Sequence, residues 1–283
     1  MPRKLTETQV ASYQRDGFCF PIPAFSSAEV TNLRAQLETF EAQQGHALHG
    51  TQRLKTSLLL TWVDRVIRAP QILDPVEDVI GPNILCWGVH FWIKEPQTID
   101  YVSWHQDHQY WGLDSAEIVT AWVALSPATI ESGCMRMQPG SHKVHLPHED
   151  LFDKPNMLSR GQTITEGIDE ATAVYITLKP GETSLHNVRI AHASAPNRSE
   201  DRRIGISIRY MPPQTRQQLA AWDSAALVRG EDRFGHFIHE PSPTRDFDPT
   251  CVAFHEKTTA NLLSFLYKDA AEQRKAEYQA TVG

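Results

Sequence analysis

The period of the hydrophobic positions changes near residue 83. Before it, apolar residues recur at helical spacing. Thr6 is a helix N-cap, and Val10 and Tyr13 continue a short helix to Asp16-Gly17, where glycine ends it. Phe18 to Ile22 reads as a strand. Ser26 with Glu29 three residues on is a capping box, and Val30, Leu33, Leu37 and Phe40 form the apolar stripe of the helix behind it. Residues 54–68 and 72–80 are also expected to be helical, with Gly81-Pro82 as the stop.

After Asn83 the pattern is that of strands: β-branched and aromatic runs bounded by turn formers. The expected strands cover 84–94, 101–109, 118–125, 133–142 (ending in the Pro139-Gly140 turn), 173–178, a segment starting at Thr183, 191–195 and 203–210. Residues 143–170 are polar and rich in turn formers. Such a long excursion reads as a lid or an insertion. A mixed tail ends in an expected helix over 258–278. The fold class is therefore α+β, mainly β: one domain over 1–283, with a helical region about 1–82, an antiparallel sandwich or barrel core about 83–213, and a C-terminal extension about 214–283.

Composition narrows the function classes. The chain has 283 residues and a formal net charge of -7, so no basic excess draws it to nucleic acid or an anionic membrane. No apolar run approaches the ~18 residues that span a bilayer, and the N-terminus lacks the apolar stretch of a signal peptide. The cytoplasm is the default compartment and a small molecule the expected partner. The cysteines, Cys19, Cys86, Cys134 and Cys251, lie far apart and read as buried free thiols.

The chemistry gathers around His105-Gln106-Asp107. In a strand, residues two apart point to the same face, so an imidazole and a carboxylate could take adjacent positions on a divalent metal. A second histidine would complete the two-His, one-carboxylate set of non-haem Fe(II) oxygenases. His142, His186 and His192 are the candidates. Eleven residues after His192, Arg203 opens an alternating strand and could clamp a carboxylate with two parallel hydrogen bonds. Arg209 falls on the same strand face and is a rival clamp; Arg202 faces the other way.

These pieces, with Trp122, Ser132-Gly133-Cys134-Met135, Pro139-Gly140-Ser141-His142 and the run from Gly181 through His192 and Asn197 to Arg203, resemble the phytanoyl-CoA dioxygenase-like family of Fe(II)/2-oxoglutarate oxygenases, in family order. The resemblance extends from Thr6 to Pro213 and includes Tyr13-Gln14-Arg15-Asp16-Gly17-Phe18. It implies a double-stranded β-helix (jelly-roll, cupin-like) core. It assigns His105, Asp107 and His192 to iron, Arg203 to the far carboxylate of 2-oxoglutarate, and Ser194 and Trp122 to cosubstrate contact, with O2 as co-reactant. It implies oxidation of a small bacterial-type metabolite or natural-product intermediate, with succinate and CO2 as co-products. Related halogenases carry a small residue where Asp107 stands, so Asp107 favours hydroxylation.

His90, His108, Tyr110, Gln138 and His186 are the candidate substrate contacts, with Arg136 and Arg189 nearby. Trp87, Phe91, Trp92, Tyr110 and Trp111 either line a pocket or pack the barrel, and Trp122 is also readable as core. The alternatives are a metal-binding protein without turnover, a halogenase and a zinc hydrolase.

Overall fold

The computed structural model describes residues 3–153 and 155–268. Helices α1 (Glu7–Asp16), α2 (Ser27–Gln44), α3 (Thr61–Ile67) and α4 (Pro70–Ile80) dominate the first part of the chain, with strand β1 (Phe18–Pro23) between the first two. Both expected caps form: Thr6 and Ser26 each make a full capping box with the residue three positions on. Helix α5 (His108–Trp111) is a single turn, and α6 (Pro249–Leu266) closes the described chain.

Strands β2 (Ile84–Lys94), β3 (Val102–His105), β4 (Val119–Ala124), β5 (Met135–Met137), β6 (His148–Asp150), β7 (Gln162–Ile164), β8 (Val174–Ile176), β9 (Glu182–Asn187), β10 (His192–Ser194), β11 (Arg203–Met211), β12 (Ser224–Arg229) and β13 (Ile238–His239) follow. They form a seven-stranded sheet, β1-β9-β4-β11-β2-β12-β13, a four-stranded sheet, β3-β10-β5-β8, and the two-stranded ribbon β6-β7. The two larger sheets face each other as a jelly roll.

Period two in the sequence decides what each face does. On β11, Ile204, Ile206, Ile208 and Tyr210 are fully buried, and with Val89, Phe91 and Ile93 of β2 and Val119, Ala121 and Val123 of β4 they pack against Leu37, Trp62, Val63, Ile67, Ile72 and Val76 of the helices. Each such side chain contributes about 1.5–3 kcal/mol. The alternate residues, Arg203, Gly205, Ser207 and Arg209, point the other way, toward the smaller sheet. Their partners across the ladder are Lys94, Trp92, His90 and Gly88 on β2, with Trp122 beside Ser207 on β4. One face of the large sheet is thus apolar and covered by helices, and the other carries the polar side chains of an internal cavity.

Several expectations change. The strand expected over 101–109 stops at His105: Asp107 has α-helical dihedrals (φ -60, ψ -38) and leads into α5. Within the helix expected over 54–68, Leu54 bridges to His90, Thr56–Leu58 form a 3-10 turn, and α3 begins only at Thr61. The strand expected over 133–142 narrows to Met135–Met137, because Gly140 turns the chain at φ 77. The 143–170 excursion contains the β6-β7 ribbon. The last helix starts at Pro249, well before residue 258, and ends at Leu266; residues 269–278 of the expected helix lie outside the described residues. All four cysteines are buried and free. Among the described residues no helix is long and apolar enough to cross a membrane.

Candidate functional site

His105 and His192 stand directly opposite each other on antiparallel β3 and β10, and their ring centroids are 4.1 Å apart. Each ring's Nδ1 faces a backbone carbonyl, His105 that of Ser103 at 2.9 Å and His192 that of Ile190 at 3.1 Å. A carbonyl only accepts, so each Nδ1 carries a proton, and Nε2 of each ring is the atom offered to the cluster. Asp107 Oδ1 lies 3.2 Å from His105 Nε2. The ligand atoms of His105, Asp107 and His192 all fall within 4.8 Å of one another. Burial, reinforced by neighbouring His105, pushes the His192 imidazole down to about 3. Burial alone would raise the Asp107 carboxyl; the His105 contact and the nearby His192 outweigh it and hold the group low. His192 is therefore held neutral beside an ionised Asp107, with His105 completing the cluster.

Gln106 explains how Asp107 reaches the cluster without a strand. Its side chain is turned inward, donates to the carbonyls of Ser141, Val144 and Arg189 at 3.3, 2.8 and 2.6 Å, and accepts from Leu146 N–H at 3.0 Å. Its own N–H donates to His148 Nε2 at 2.9 Å. These bonds pin the turn between β3 and α5 and aim Asp107 back at His105.

The triad opens on both sides. Toward one end lies a cavity of about 420 Å³, its open mouth included, bounded by Trp122, His186, Ser194, Arg203 and Ser207 among others. Arg203 is buried; its guanidinium sits 5.5 Å from the Trp122 ring, its Nε has no hydrogen-bond partner, and burial pushes it down to about 10. Lys94, its ladder neighbour, donates to Ser194 Oγ at 2.7 Å and to the Ser194 carbonyl at 3.2 Å. Burial, and secondarily Arg203, pushes the Lys94 amine down to about 6.

Trp122 can lie flat here only because position 205 lacks a side chain: a Cβ on Gly205 would come within 1.9 Å of the Trp122 ring. Gly205→Ala is therefore expected to lose about 1–3 kcal/mol through overpacking, read as a lower melting temperature. Adding Trp122→Phe should recover part of that loss. An unchanged melting temperature for the single variant would contradict the close approach.

Toward the other end is a larger cavity of about 820 Å³, its open mouth included. Trp87, His90, Trp92, Tyr110, Trp111 and Arg209 line it, with Asp107 at its base. The 143–170 excursion supplies Met157, Leu158 and Ser159 to its wall, and α6 supplies Leu262, Leu263 and Leu266. Arg160 ties these two walls together by donating to the carbonyls of Leu266 and Lys268 at 3.3 and 3.2 Å, and it lies over Tyr110. Both the excursion and the C-terminal extension therefore shape the cavity.

Of the sequence-based candidates, the structure gathers His105, Asp107, His192, Ser194, Trp122, Arg203 and His186 at the inner cavity, and His90 and Tyr110 at the outer one. His186 is a near neighbour of His192, at 5.2 Å between rings, held neutral by burial, which pushes it down to about 4. Two candidates lie elsewhere. His108 faces a separate cavity with Arg189 and His145. Gln138 bonds Thr172 and the Asp169 N–H near the surface. Both lie close to the motifs in sequence, a nearness that the turn after His105 and the exit of β5 do not preserve in space. His142 contacts the Gln14 carbonyl and takes no part in the cluster. Arg202 faces outward onto Glu41 and Glu95, as expected. Lys94 and Gln106 were missed, although Lys94 continues the inward set of His90 and Trp92 at period two.

Comparison with known proteins follows the same lines. Residues 13–205 match the family described as Phytanoyl-CoA dioxygenase (PhyH). The chain is 27% identical over 180 residues to a probable alpha-ketoglutarate-dependent hypophosphite dioxygenase of Stutzerimonas stutzeri, covering 60% of each. It is 28% identical over 151 residues to the peroxisomal phytanoyl-CoA dioxygenase of Homo sapiens, covering 52% of this chain and 45% of that one. The chain thus spans about half to three fifths of the length of these curated relatives. Among solved structures, the non-heme monooxygenase ThoJ is 33% identical with a TM-score of 0.81, over 92% of this chain and 98% of that one. CytC3 with Fe(II) and alpha-ketoglutarate, at 23% identity and a TM-score of 0.64 over 86% and 96% of the two chains, shares the fold. With the family match running from α1 into β11 and the ThoJ likeness extending over nearly the whole chain, this protein belongs to the phytanoyl-CoA dioxygenase (PhyH) family.

Proposed function

We propose that the protein is an Fe(II)- and 2-oxoglutarate-dependent dioxygenase that hydroxylates a small organic molecule, with His105, Asp107 and His192 holding the metal. One observation carries this reading: a cross-strand histidine pair and a carboxylate converge within 4.8 Å, and the cavity beside them ends in a buried arginine whose Nε has no partner. The donor set fits the metal. Adjacent ligands of an ion held at about 2.1 Å stand about 3 Å apart, and His105 Nε2 and Asp107 Oδ1 are 3.2 Å apart. Three protein ligands leave the remaining positions open for cosubstrate and oxygen.

Iron with 2-oxoglutarate and dioxygen supplies the oxidant that removes hydrogen from an unactivated carbon, and succinate and CO2 are released. The chain's own groups orient the reactants. Arg203 pairs with the far carboxylate in a water-poor pocket, where a charge-assisted fork is strongest. The Ser194 hydroxyl, held by Lys94, adds a polar contact, and Trp122 forms the wall. Asp107 occupies the position a halide would need, so hydroxylation is the expected outcome. The names of the relatives support the class: an alpha-ketoglutarate-dependent dioxygenase and a non-heme monooxygenase. A zinc hydrolase would leave Arg203 without a role.

Anaerobic protein with Fe(II) and 2-oxoglutarate should show a weak visible charge-transfer band, and admitting oxygen should release succinate. Absence of both would overturn the proposal; metal binding without oxygen-dependent succinate would indicate a binding protein without turnover. Gln106→Ala tests the support of Asp107. Stranding the carbonyls that Gln106 satisfies should cost about 1–3 kcal/mol. Loosening Asp107 should weaken metal affinity by about 10- to 100-fold, measured by anaerobic metal titration.

A further inference from the structure

Strand β11 carries two arginines on its cavity face, Arg203 and Arg209, and six residues at about 3.3 Å each put their backbones about 20 Å apart. The metal cluster lies between them. Arg203 borders only the inner cavity, whereas Arg209 borders both the inner and the outer one. The Arg209 side chain is half-buried, and its guanidinium lies 4.6 Å from the ring of Trp111. Its Nε is cut off from solvent and has no hydrogen-bond partner. What surface it exposes is cavity wall. Across the ladder stands Gly88, whose missing side chain leaves space beside the guanidinium.

Charge balance shows what is missing. With the site filled as proposed above, the metal dication is offset by Asp107 and the near carboxylate of 2-oxoglutarate, and Arg203 by the far carboxylate. Lys55, on the outer wall, is already paired with buried Glu240 at 2.5 Å. His90, stacked on Trp92 at 4.4 Å, is kept neutral by burial and by the nearby Arg209. Arg209 is left as a half-buried cation whose acidic neighbour Asp107 is already engaged by the metal and which has no ion-pair partner of its own, a cost that an anionic ligand would relieve.

We propose that the molecule oxidised by this enzyme is an organic anion whose carboxylate or phosphorus oxyanion pairs with Arg209, while its apolar body lies among Trp87, Trp92 and Trp111. The pairing fixes which carbon of the bound anion faces Asp107 and the metal. The guanidinium lies over the Trp111 ring and can offer an oxyanion a two-point contact, a geometry lysine cannot reproduce. This inference rests on the metal and cosubstrate reading of the triad.

Isothermal titration calorimetry under argon, with enzyme loaded with Mn(II) and 2-oxoglutarate, tests the proposal without turnover. Phenylacetate and phenylphosphonate serve as anionic probes, and phenylacetamide is the neutral counterpart of the first. At least one anion should bind tenfold or more tightly than the amide, and which of the two does so distinguishes carboxylate from phosphorus oxyanion. Arg209→Gln should abolish the preference; Arg209→Lys should keep its sign with weaker binding. Binding of 2-oxoglutarate to the Mn(II) enzyme, measured first, separates the two readings. If it fails in the wild type, the cosubstrate reading falls. If it succeeds but the anions bind no better than the amide, or Arg209→Gln keeps the preference, the role of Arg209 is refuted.

Discussion

Replacing His192 with alanine is expected to abolish the Fe(II)–2-oxoglutarate charge-transfer band and to reduce succinate release by at least about a hundredfold, since loss of a ligand exceeds the 10–100-fold cost of losing a ligand's hydrogen-bond support. The fold should survive. His192 lies in the middle of its sheet, with β3 on one side and β5 on the other, and the ladder uses backbone groups that the substitution leaves in place. Truncation also removes an imidazole that burial keeps uncharged, so no charge is stranded. The informative partner is His186→Ala. His186 is close to His192 but comes from β9, in the opposite sheet, and is not among the residues whose ligand atoms converge. That variant should keep the band, with an altered response to 2-oxoglutarate. A band that persists in His192→Ala and disappears in His186→Ala would reverse the ligand assignment.

The parts of the site readable from the sequence are those set by strand periodicity. Arg203, Gly205, Ser207 and Arg209 alternate with Ile204, Ile206, Ile208 and Tyr210, and that alternation alone separates cavity from core on β11. Asp107 reaches its expected place by a different route. Same-face spacing requires a strand through residue 107, whereas the carboxylate is aimed by a turn that Gln106 fastens to Ser141, Val144 and Arg189. Bonds to segments 35 to 83 residues away leave no local pattern.

The outer cavity was legible only in part: Trp87, His90, Trp92, Tyr110 and Trp111 stood out, but not how they are enclosed. Its walls combine β2, α5, the 143–170 excursion and α6, and proximity along the chain picked His108 and Gln138, which face other surroundings. Lys94 was overlooked although its strand phase was visible. A lysine at a strand end reads as solvent-exposed, and its burial depends on the Ser194 and Ala195 carbonyls arriving from β10 and the loop behind it.

Arg203→Gln should separate cosubstrate binding from everything else in the protein. Truncating one partner of a buried charge pair typically costs 2–5 kcal/mol, so the apparent affinity for 2-oxoglutarate should fall about 30-fold or more, seen as a raised KM with part of kcat retained at saturation. Arg203→Lys should recover only some of it, because an ammonium cannot form the two-point contact and Trp122 and Gly205 fix the available space. Stability should move in the opposite direction. Without cosubstrate, Arg203 is a buried cation that burial pushes down to about 10, with an unpartnered Nε; removing the charge relieves that cost. The glutamine variant should therefore melt at or above the wild type when no 2-oxoglutarate is present. Ligand that binds only the folded state stabilises it in proportion to the logarithm of one plus the ratio of free ligand to Kd, so added 2-oxoglutarate should raise the melting temperature of the metal-loaded wild type and leave that of the variant nearly unchanged. A variant that melts lower in both states would mean that Arg203 serves the fold, and the far carboxylate would then have to be held by another group.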